Sequence, residues 1–298
     1  MPSSQFSLSA VSQELQELTA RAAASVVAIE SDGHRTSGIH WRPGVIVTAD
    51  ERLASDDGIT IMTASGERLA GTLAGRDPST DIAVIRFEPT GTIPAEPGDA
   101  SALKAGALVL AVGRHSDGPV ASLGVAGFVG KPWRSLRGGS IDNYIRLDLS
   151  LARAAEGGAV VDAEGRVLGM AVLGPRGRAL LIPRGTIDRV TDQLLAKGHI
   201  SRGYLGASLQ PVRIGASHGT AIGILINGID AKGPAAAAGL LIGDIITTWA
   251  DTPISGVRGI LHALGPESIG NNIKLGVLRG GSKTELAVSI GERPRAST

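Results

Sequence analysis

The sequence of 298 residues contains no cysteine, which excludes disulfides, thiol catalysis and cysteine-ligated zinc or iron–sulfur sites. Aromatic residues make up only 3% of the chain, and the positive and negative charges nearly cancel to a net charge of +1. No run of basic residues is present. A nucleic-acid-binding surface concentrates Lys and Arg on one face or tail, so nucleic acid is not expected as a partner.

Long apolar segments are also missing. The chain has no uncharged apolar stretch of about 18 residues, so we expect no transmembrane helix. Segment 1–18 has neither a basic region nor an apolar core followed by a small-residue cleavage site, as a signal peptide would. Taken as written, the sequence predicts a cytoplasmic protein. The alternative is a periplasmic protein whose signal has been removed.

Small aliphatic residues and glycine are abundant instead. Hydrophobic residues make up 43% of the chain, and its 42 glycines follow no three-residue period, which predicts packed cores and excludes collagen. At roughly 150 residues per domain, the length indicates about two domains. We expect an N-terminal segment, 1–24, with a short helix over 11–24, then one domain at 25–198 and a second at 203–293.

Short β-branched runs separated by turn residues follow one another from Ser25 to Pro183. This pattern is typical of sandwiches and barrels and predicts two small antiparallel β units in series. A helix should begin after Pro183 and end at Gly198. The remaining residues mix strands with two short helices, one beginning at Pro234 and one over 256–265, which predicts a separate α+β module.

Nine motifs stand in order along the chain: SVVAI (25–29), GVIVT (44–48), DPSTDIAVI (77–85), AVG (111–113), GGAVV (157–161), GRVLG (165–169), RGYLG (202–206), GPAAAAGL (233–240) and GDII (243–246). Together they resemble the HtrA/Deg family of serine proteases over about residues 20–293. The resemblance implies a mostly β fold, in which a chymotrypsin-like double β-barrel at 25–198 is followed by a small α+β PDZ domain at 203–293.

The resemblance also marks three positions of a catalytic triad. Asp81, in the DPSTD turn, stands where the family has the Asp that orients its His. The family has the motif V-T-x-x-H, in which the His is the catalytic base. This chain has VTADE (47–51), so Glu51 takes the His position. In ARAAEGG (152–158), Glu156 takes the place of the Ser nucleophile. With no hydroxyl and no imidazole among the three, we predict a pseudoprotease.

The loop before Glu156 departs from the family pattern as well. Arg153-Ala154 stands where the family has Pro-Gly, and alanine tolerates positive φ poorly, so a complete oxyanion hole is not expected. A substitute triad would need Ser150 with His40 or His115. Neither histidine falls at the family position of the base, and we interpret both as surface or strand-end residues.

Three carboxylates that converge on one cleft need compensation by a proton, an arginine or a cation. Arg52 and Arg153 stand beside Glu51 and Glu156 in sequence, and salt bridges or solvent are the expected compensation. A Ca²⁺ or Mg²⁺ ion held by Glu51, Asp81 and Glu156 is one alternative, and acid/base hydrolysis by a carboxylate pair is another. No cofactor is expected.

The PDZ resemblance implies a peptide-binding groove. Such domains bind a C-terminal carboxylate with the N–H groups of a loop and add the peptide as a strand. The residues implied are Tyr204, Leu205, Gly206 and Ala207 in the loop, Ser208 and Leu209 on the pairing strand, and Val257, Ile260, Leu261 and Leu264 across the groove. The alternative is that these residues only form a core. The expected partners are C-terminal peptides with an apolar last residue, or unfolded segments, bound at micromolar affinity or weaker.

Three functions remain open at this point. The first is an inactive HtrA-like protein that binds peptides or partners through its PDZ domain and its vacant protease cleft. The second is an HtrA-like serine endopeptidase with unrecognised catalytic residues, and the third is a chaperone or assembly scaffold. The N-terminal helix and Phe6 fit a further family trait, a homotrimer formed through N-terminal aromatic contacts.

Overall fold

The structure, a computed structural model, describes residues 7–216 and 219–294. It divides into two compact units, Met1–Ile200 and Ser201–Thr298. Strands dominate both units, and the predicted mostly β, double-barrel fold class is confirmed. Phe6, on which the predicted trimer contact depends, lies outside the described residues, and the homotrimer stays a prediction.

Within residues 7–200 the strands form two closed barrels of six strands each. The first contains β1 (Val26–Ser31), β2 (His34–Arg42), β3 (Val45–Thr48), β4 (Ile59–Met62), β5 (Arg68–Asp77) and β6 (Ile82–Phe87). The second contains β7 (Leu108–His115) and β8 (Gly118–Val129), and, after a small ladder of β9 (Trp133–Arg134) and β10 (Ser140–Ile141), β11 (Ile145–Asp148), β12 (Ala159–Val161), β13 (Val167–Leu173) and β14 (Ala179–Pro183). The pairing orders are β1-β2-β3-β6-β5-β4 and β11-β14-β13-β12-β7-β8.

Several barrel strands, among them β3, β12 and β14, are buried on both faces. Ile46 of β3 lies in the core of the first barrel, together with Val27, whereas Val45 and Val47 face a second apolar layer that both barrels share. Successive side chains of a strand point to opposite faces, so a strand with two buried faces is apolar at almost every position. This explains why runs such as GVIVT show no alternation of apolar and polar residues.

Two helices cover the shared layer. Helix α1 (Leu8–Ala23) buries Leu18, and helix α2 (Arg184–Lys197) buries Ile187. Helix α2 ends at Gly198, whose φ of 74° suits only a residue without a side chain. Arg114 anchors the end of α1, because its buried guanidinium donates from Nη2 to Ala23 O at 2.7 Å and from Nε to Val26 O at 2.6 Å.

The second unit is a small sheet with two short helices. Its elements are β15 (Gly203–Tyr204), β16 (Ala207–Ala216), β17 (Gly219–Ile229), α3 (Pro234–Ala237), β18 (Ile245–Trp249), β19 (Thr252–Pro253), α4 (Val257–Ala263), β20 (Asn272–Arg279), β21 (Ser282–Ser289) and β22 (Gly291–Glu292). The main sheet has the order β16-β17-β18-β20-β21, so that β16 lies at one edge. Its apolar core, which includes Leu205, Ile224 and Ile260, is separate from the cores of the first unit.

Candidate functional site

A cleft of about 360 Å³ opens between the two barrels of the first unit. We call it the interbarrel cleft and define it by its lining: Glu51, Pro78, Ser79, Thr80, Asp81, Trp133, Ser135, Leu136, Arg137, Ile141, Val172, Leu173, Gly174, Pro175, Leu180 and Ile182. The first barrel contributes the turn before β6, and the second contributes β10, the ends of β13 and β14, and the loop before β10. Apolar side chains form most of its wall, with carboxylates at one end.

Asp81 is held at this end of the cleft by a rigid turn. The carboxylate of Asp77 accepts the hydroxyls of Ser79 and Thr80, both at 2.6 Å, which fixes the backbone just before Asp81. Asp81 itself has a φ of 58°, an uncommon conformation for a residue with a side chain. Its Oδ1 accepts the backbone N–H of Glu51 at 2.8 Å. The DPSTD motif thus aims one carboxylate at the neighbouring 3₁₀ turn.

The surroundings of Asp81 favour its neutral form. Burial, together with the charges of Glu51, Asp50 and Glu156, raises the pKa of Asp81 to about 7, although the hydrogen bond from the Glu51 N–H acts in the opposite direction. Burial and neighbouring carboxylates both raise the free energy of an ionised carboxyl group, so they favour its protonated form. Asp81 therefore titrates near neutral pH.

Glu51 lies on the rim of the interbarrel cleft, in the 3₁₀ turn Asp50–Arg52. Its side chain is exposed, and its Oε1 lies 3.3 Å from Nη2 of Arg137. Arg137 also donates from Nη1 to Pro78 O at 3.2 Å, so it spans the rim. No sequence pattern indicates this pair, because Arg137 belongs to a loop 86 residues further along the chain.

A second acidic residue, Asp50, lies buried directly before Glu51. Arg76 holds it, donating from Nε to Asp50 Oδ1 and from Nη2 to Asp50 O at 3.0 Å. The same guanidinium donates to Asp56 Oδ1 at 2.6 Å. Burial raises the pKa of Asp50, and the bond from Arg76 offsets part of the shift. Asp50 therefore adds to the negative potential around Asp81. No pattern in the sequence indicates this contribution.

Glu156 is buried and bound within the protein rather than directed at a free space. Its side chain is 5% exposed, with Oε2 at 3.5 Å from Nε of Arg52. Its Oε1 accepts the backbone N–H of Leu173, at the end of β13, at 3.0 Å. Burial raises the pKa of Glu156, whereas the bond from Leu173 and the charge of Arg52 lower it. Of the two arginines named from the sequence, Arg52 forms the ion pair and Arg153 contributes through its charge.

The backbone around Glu156 forms a closed turn. Residues Arg153–Ala155 are a 3₁₀ helix, in which the Glu156 N–H donates to Arg153 O at 3.3 Å. Trypsin-like enzymes bind the oxyanion with the N–H of the nucleophile and the N–H two residues before it. In this chain the first of these donors is already used within the turn. No residue of the turn needs a positive φ until Gly157, at 81°.

The three predicted triad positions thus lie in one region, with different surroundings. Glu51 and Asp81 line the interbarrel cleft, whereas Glu156 is bound behind it. Each carboxylate has a donor or an arginine: a backbone N–H for Asp81, Arg137 for Glu51, and Leu173 with Arg52 for Glu156. In residues 7–216 and 219–294, no group of three or more His, Asp or Glu side chains is arranged to hold a metal ion.

The serines and histidines do not supply a substitute triad in this cleft. Ser79 and Ser135 line it, but their hydroxyls donate to Asp77 Oδ1 and to Ser79 O. His40 is not a surface or strand-end residue as predicted: it lies inside β2, 1% exposed, because β2 is buried on both faces, and burial lowers its pKa.

His115 does have a serine neighbour, in an exposed turn. Ser116 Oγ lies 3.0 Å from His115 Nδ1, and Asp117 Oδ2 lies 3.5 Å from the same nitrogen. A catalytic histidine binds the serine with one ring nitrogen and the carboxylate with the other. Because His115 has both partners on the same nitrogen, it cannot relay a proton in that way, and this cluster is not a triad.

In the second unit, the predicted carboxylate loop precedes the edge strand β16. Gly206 has a φ of 76°, and a Cβ there would meet Gly233 Cα at 3.0 Å, so the turn requires glycine. The Leu205 and Gly206 carbonyls accept the N–H groups of Ala235 and Asp230, at 2.8 and 2.9 Å. The Tyr204 hydroxyl donates to Asp230 Oδ2 at 3.1 Å. These hydrogen bonds fix the loop against Asp230 and the beginning of helix α3.

Helix α4 packs beside β16, where the prediction places the other side of the groove. Val257 is half-buried and Leu261 is 52% exposed, while Leu264 is buried at the end of the helix. Ile260 is 1% exposed and lies in the core of the second unit, and its place in the groove stays a prediction. Strand β16 begins at Ala207, which the motif placed in the loop, and continues with Ser208.

Comparisons with known proteins follow the same division of the chain. Residues 36–170 match the family model of the trypsin-like peptidase domain, and residues 203–290 match that of the PDZ domain. The chain is 32% identical over 262 residues to the probable periplasmic serine endoprotease DegP-like of Bartonella henselae, covering 84% of this chain and 52% of that protein. The corresponding protein of Brucella suis is 31% identical over 265 residues, covering 84% and 51%.

Solved structures agree with the fold. The serine endoprotease from Yersinia pestis superposes with a TM-score of 0.72 and 25% identity, covering 94% of this chain and 98% of that chain. The HtrA-type protease AlgW with decapeptide gives a TM-score of 0.73 at 23% identity, covering 94% and 99%. At that lower identity the likeness concerns the fold.

The barrels and the matched domains define a trypsin-like peptidase fold followed by a PDZ domain. The chain is of the HtrA/DegP type, with the PDZ domain at its C-terminal side. It spans about half the length of the curated relatives that it matches. In the described residues, no helix is long and apolar enough to cross a membrane.

Proposed function

We propose that this chain binds the C-terminal ends of other polypeptides through its PDZ domain and does not cleave peptide bonds by the serine protease mechanism. The observation that carries the second half of this proposal is the state of Glu156. A buried carboxylate, bound to Leu173 N–H and paired with Arg52, occupies the position of the nucleophile. It offers no hydroxyl to attack a carbonyl carbon.

The other parts of the machinery point in the same direction. Glu51 is exposed and paired with Arg137, so it is no substitute for an imidazole that accepts a proton near pH 7. The Glu156 N–H is engaged in its turn, which weakens the oxyanion site. The loss of a triad member costs about 10⁴ in rate in related enzymes. Here two members and one oxyanion donor are altered.

A protease assay tests this half of the proposal. The purified chain should leave casein intact and should not react with a fluorophosphonate probe, with trypsin as the positive control. The matched variants Ser79→Ala and Ser135→Ala change the two serines that line the cleft, and Ser150→Ala changes the serine considered from the sequence. Cleavage by the parent chain that one of these variants abolishes would reject inactivity and identify the nucleophile.

The alternative is an HtrA-like serine endopeptidase with unrecognised catalytic residues. The names of the relatives favour it, because those from Bartonella henselae and Brucella suis are described as serine endoproteases. The same relatives are described as periplasmic, which favours the periplasmic location over the cytoplasmic one for this chain. Ser135 is the residue that this alternative would use first, since its hydroxyl lies in the wall of the interbarrel cleft.

Peptide binding is supported by the matched PDZ domain. The structures of AlgW with a decapeptide and with a tripeptide show that a protein of similar fold binds peptides. The loop at Gly206 and the edge strand β16 are what such binding requires. A chaperone or assembly scaffold without a defined ligand remains the third candidate, and selective peptide binding would argue against it.

We expect a library of peptides with free C-termini to be enriched for an apolar last residue, with micromolar or weaker affinity. Amidation of the C-terminus should abolish binding, because it removes the carboxylate that the loop N–H groups hold. Calorimetry with acid and amide forms of one peptide measures this difference. Equal affinities for the two forms, or no enrichment, would contradict carboxylate capture.

A further inference from the structure

One edge of the PDZ sheet is open along β16. In residues 201–216 and 219–294, β17 is the strand that pairs with β16, and no described strand pairs with its opposite edge. The loop at Gly206 lies at the beginning of this strand. A peptide whose carboxylate binds the loop must therefore run antiparallel to β16, with its earlier residues extending towards residue 216. This argument rests on the proposed peptide binding.

The register shows which residues of β16 face the open edge. Ile226 of β17 donates its N–H to Asp244 O at 2.8 Å and accepts from Gly243 N at 2.9 Å, so both of its backbone groups point away from β16. Backbone groups alternate along a strand. The groups of Leu225 therefore point to β16, where its partner in the register is Gln210.

Alternation along β16 then places the next residue on the open side. The backbone groups of Gln210 point to β17, so those of Leu209 and of residue 211 point to the open edge. Residue 211 is Pro211, which is exposed and has no N–H. In this orientation Pro211 costs the pairing of β16 with β17 no hydrogen bond. This agrees with the general rule that proline in a sheet is found where its nitrogen faces no partner strand.

The ladder available to a bound peptide is consequently short. In an antiparallel pair every second peptide residue bonds to the strand. When the last residue bonds opposite Ala207, the third from the end bonds opposite Leu209, and the fifth meets Pro211. There the donor for the peptide carbonyl is missing, and the Cδ of the proline ring occupies the position of the hydrogen.

We propose that Pro211 limits the PDZ groove to the last three or four residues of its ligand. The chain would then recognise short apolar C-termini, whatever sequence precedes them. The fifth residue from the end finds only the Pro211 carbonyl as a partner, beside the obstructing ring, so residues beyond the fourth from the end add little affinity. Such a groove selects for a free end rather than for an extended motif.

Calorimetry with a peptide length series tests this proposal. The probes are acetyl-peptides that end in Ala-Leu-Val with a free carboxylate and carry zero to five additional alanines at the N-terminal side; where the library selects a different final tripeptide, that tripeptide replaces Ala-Leu-Val. For the parent chain, we expect Kd to change less than twofold between three and eight residues. In Pro211→Ala, peptides of five residues or more should bind about fivefold more tightly, the effect of one hydrogen bond.

Two comparisons keep the outcome specific. The three-residue peptide should bind equally to the parent and to Pro211→Ala, because it does not reach residue 211. The control Val212→Ala alters the next side chain and leaves both backbone donors in place, and it should behave as the parent at every length. A steady gain of fivefold or more with length in the parent chain would overturn the proposal while leaving peptide binding intact. Failure of every peptide to bind any variant would instead reject the proposed function.

Discussion

Asp81→Asn should make the protein more stable at pH 8 by up to about 4 kcal/mol and leave its stability near pH 4 unchanged. The pKa of Asp81 is raised to about 7 in the folded chain, against an ordinary value of 3.8. In the unfolded chain the group ionises at its ordinary pKa, so the folded state holds the extra proton between about pH 4 and pH 7. Stability is therefore lost as the pH rises through this window, at 1.36 kcal/mol for each unit of pKa difference.

The asparagine has no proton to lose, and its side-chain oxygen can still accept the Glu51 N–H. Urea unfolding of both proteins at intervals from pH 4 to pH 9 should give curves that meet at low pH and diverge up to about pH 7. The variant Glu51→Gln provides a matched test, since it removes one like charge near Asp81 and should narrow the difference between the curves. Parallel curves across the whole range would contradict a raised pKa.

This arrangement also explains how three carboxylates share one region. Asp81 can keep a proton at neutral pH, Glu51 is paired with Arg137 at the rim, and Glu156 is paired with Arg52 behind the cleft. Each negative charge is thus removed or compensated by the chain itself.

The sequence predicted those features that depend on local pattern. Turn residues and apolar runs located the barrel strands, and Gly198 marked the end of α2 because only glycine adopts its φ without strain. Glu51, Asp81 and Glu156 were found because each stands at a fixed offset from a motif. Features that depend on side chains distant in sequence were missed. Arg76 meets Asp50 only when the first barrel has closed, and Arg137 meets Glu51 only when the loop before β10 lies against the first barrel.

One prediction failed for a physical reason. His40 was assigned to a surface or strand end because it does not fall at the family position of the base, but β2 is buried on both faces there, and the ring packs edge-on against Phe87 at 5.0 Å. A position outside a motif does not determine whether a polar ring lies at the end of a strand or in its buried middle.

Glu156→Ala should destabilise the protein by about 3 kcal/mol, because two partners lose their acceptor at once. The N–H of Leu173 would be left without its acceptor in a partly buried position, at a cost of about 1–3 kcal/mol. The Arg52 side chain, 24% exposed, would lose its carboxylate partner. Glu156→Gln is the matched control: its side-chain oxygen can still accept from Leu173, so it should lose about 1 kcal/mol or less.

Glu156→Ser distinguishes a structural role from a vestigial one. Serine restores the residue type of the nucleophile, but its side chain is too short to replace the carboxylate between Leu173 and Arg52. If Glu156 now holds the end of β13 to the turn Arg153–Ala155, the serine variant should be about as unstable as the alanine variant in urea unfolding. A serine variant as stable as the parent would mean that the glutamate contributes little, and that this position can hold a serine without a loss of folding free energy.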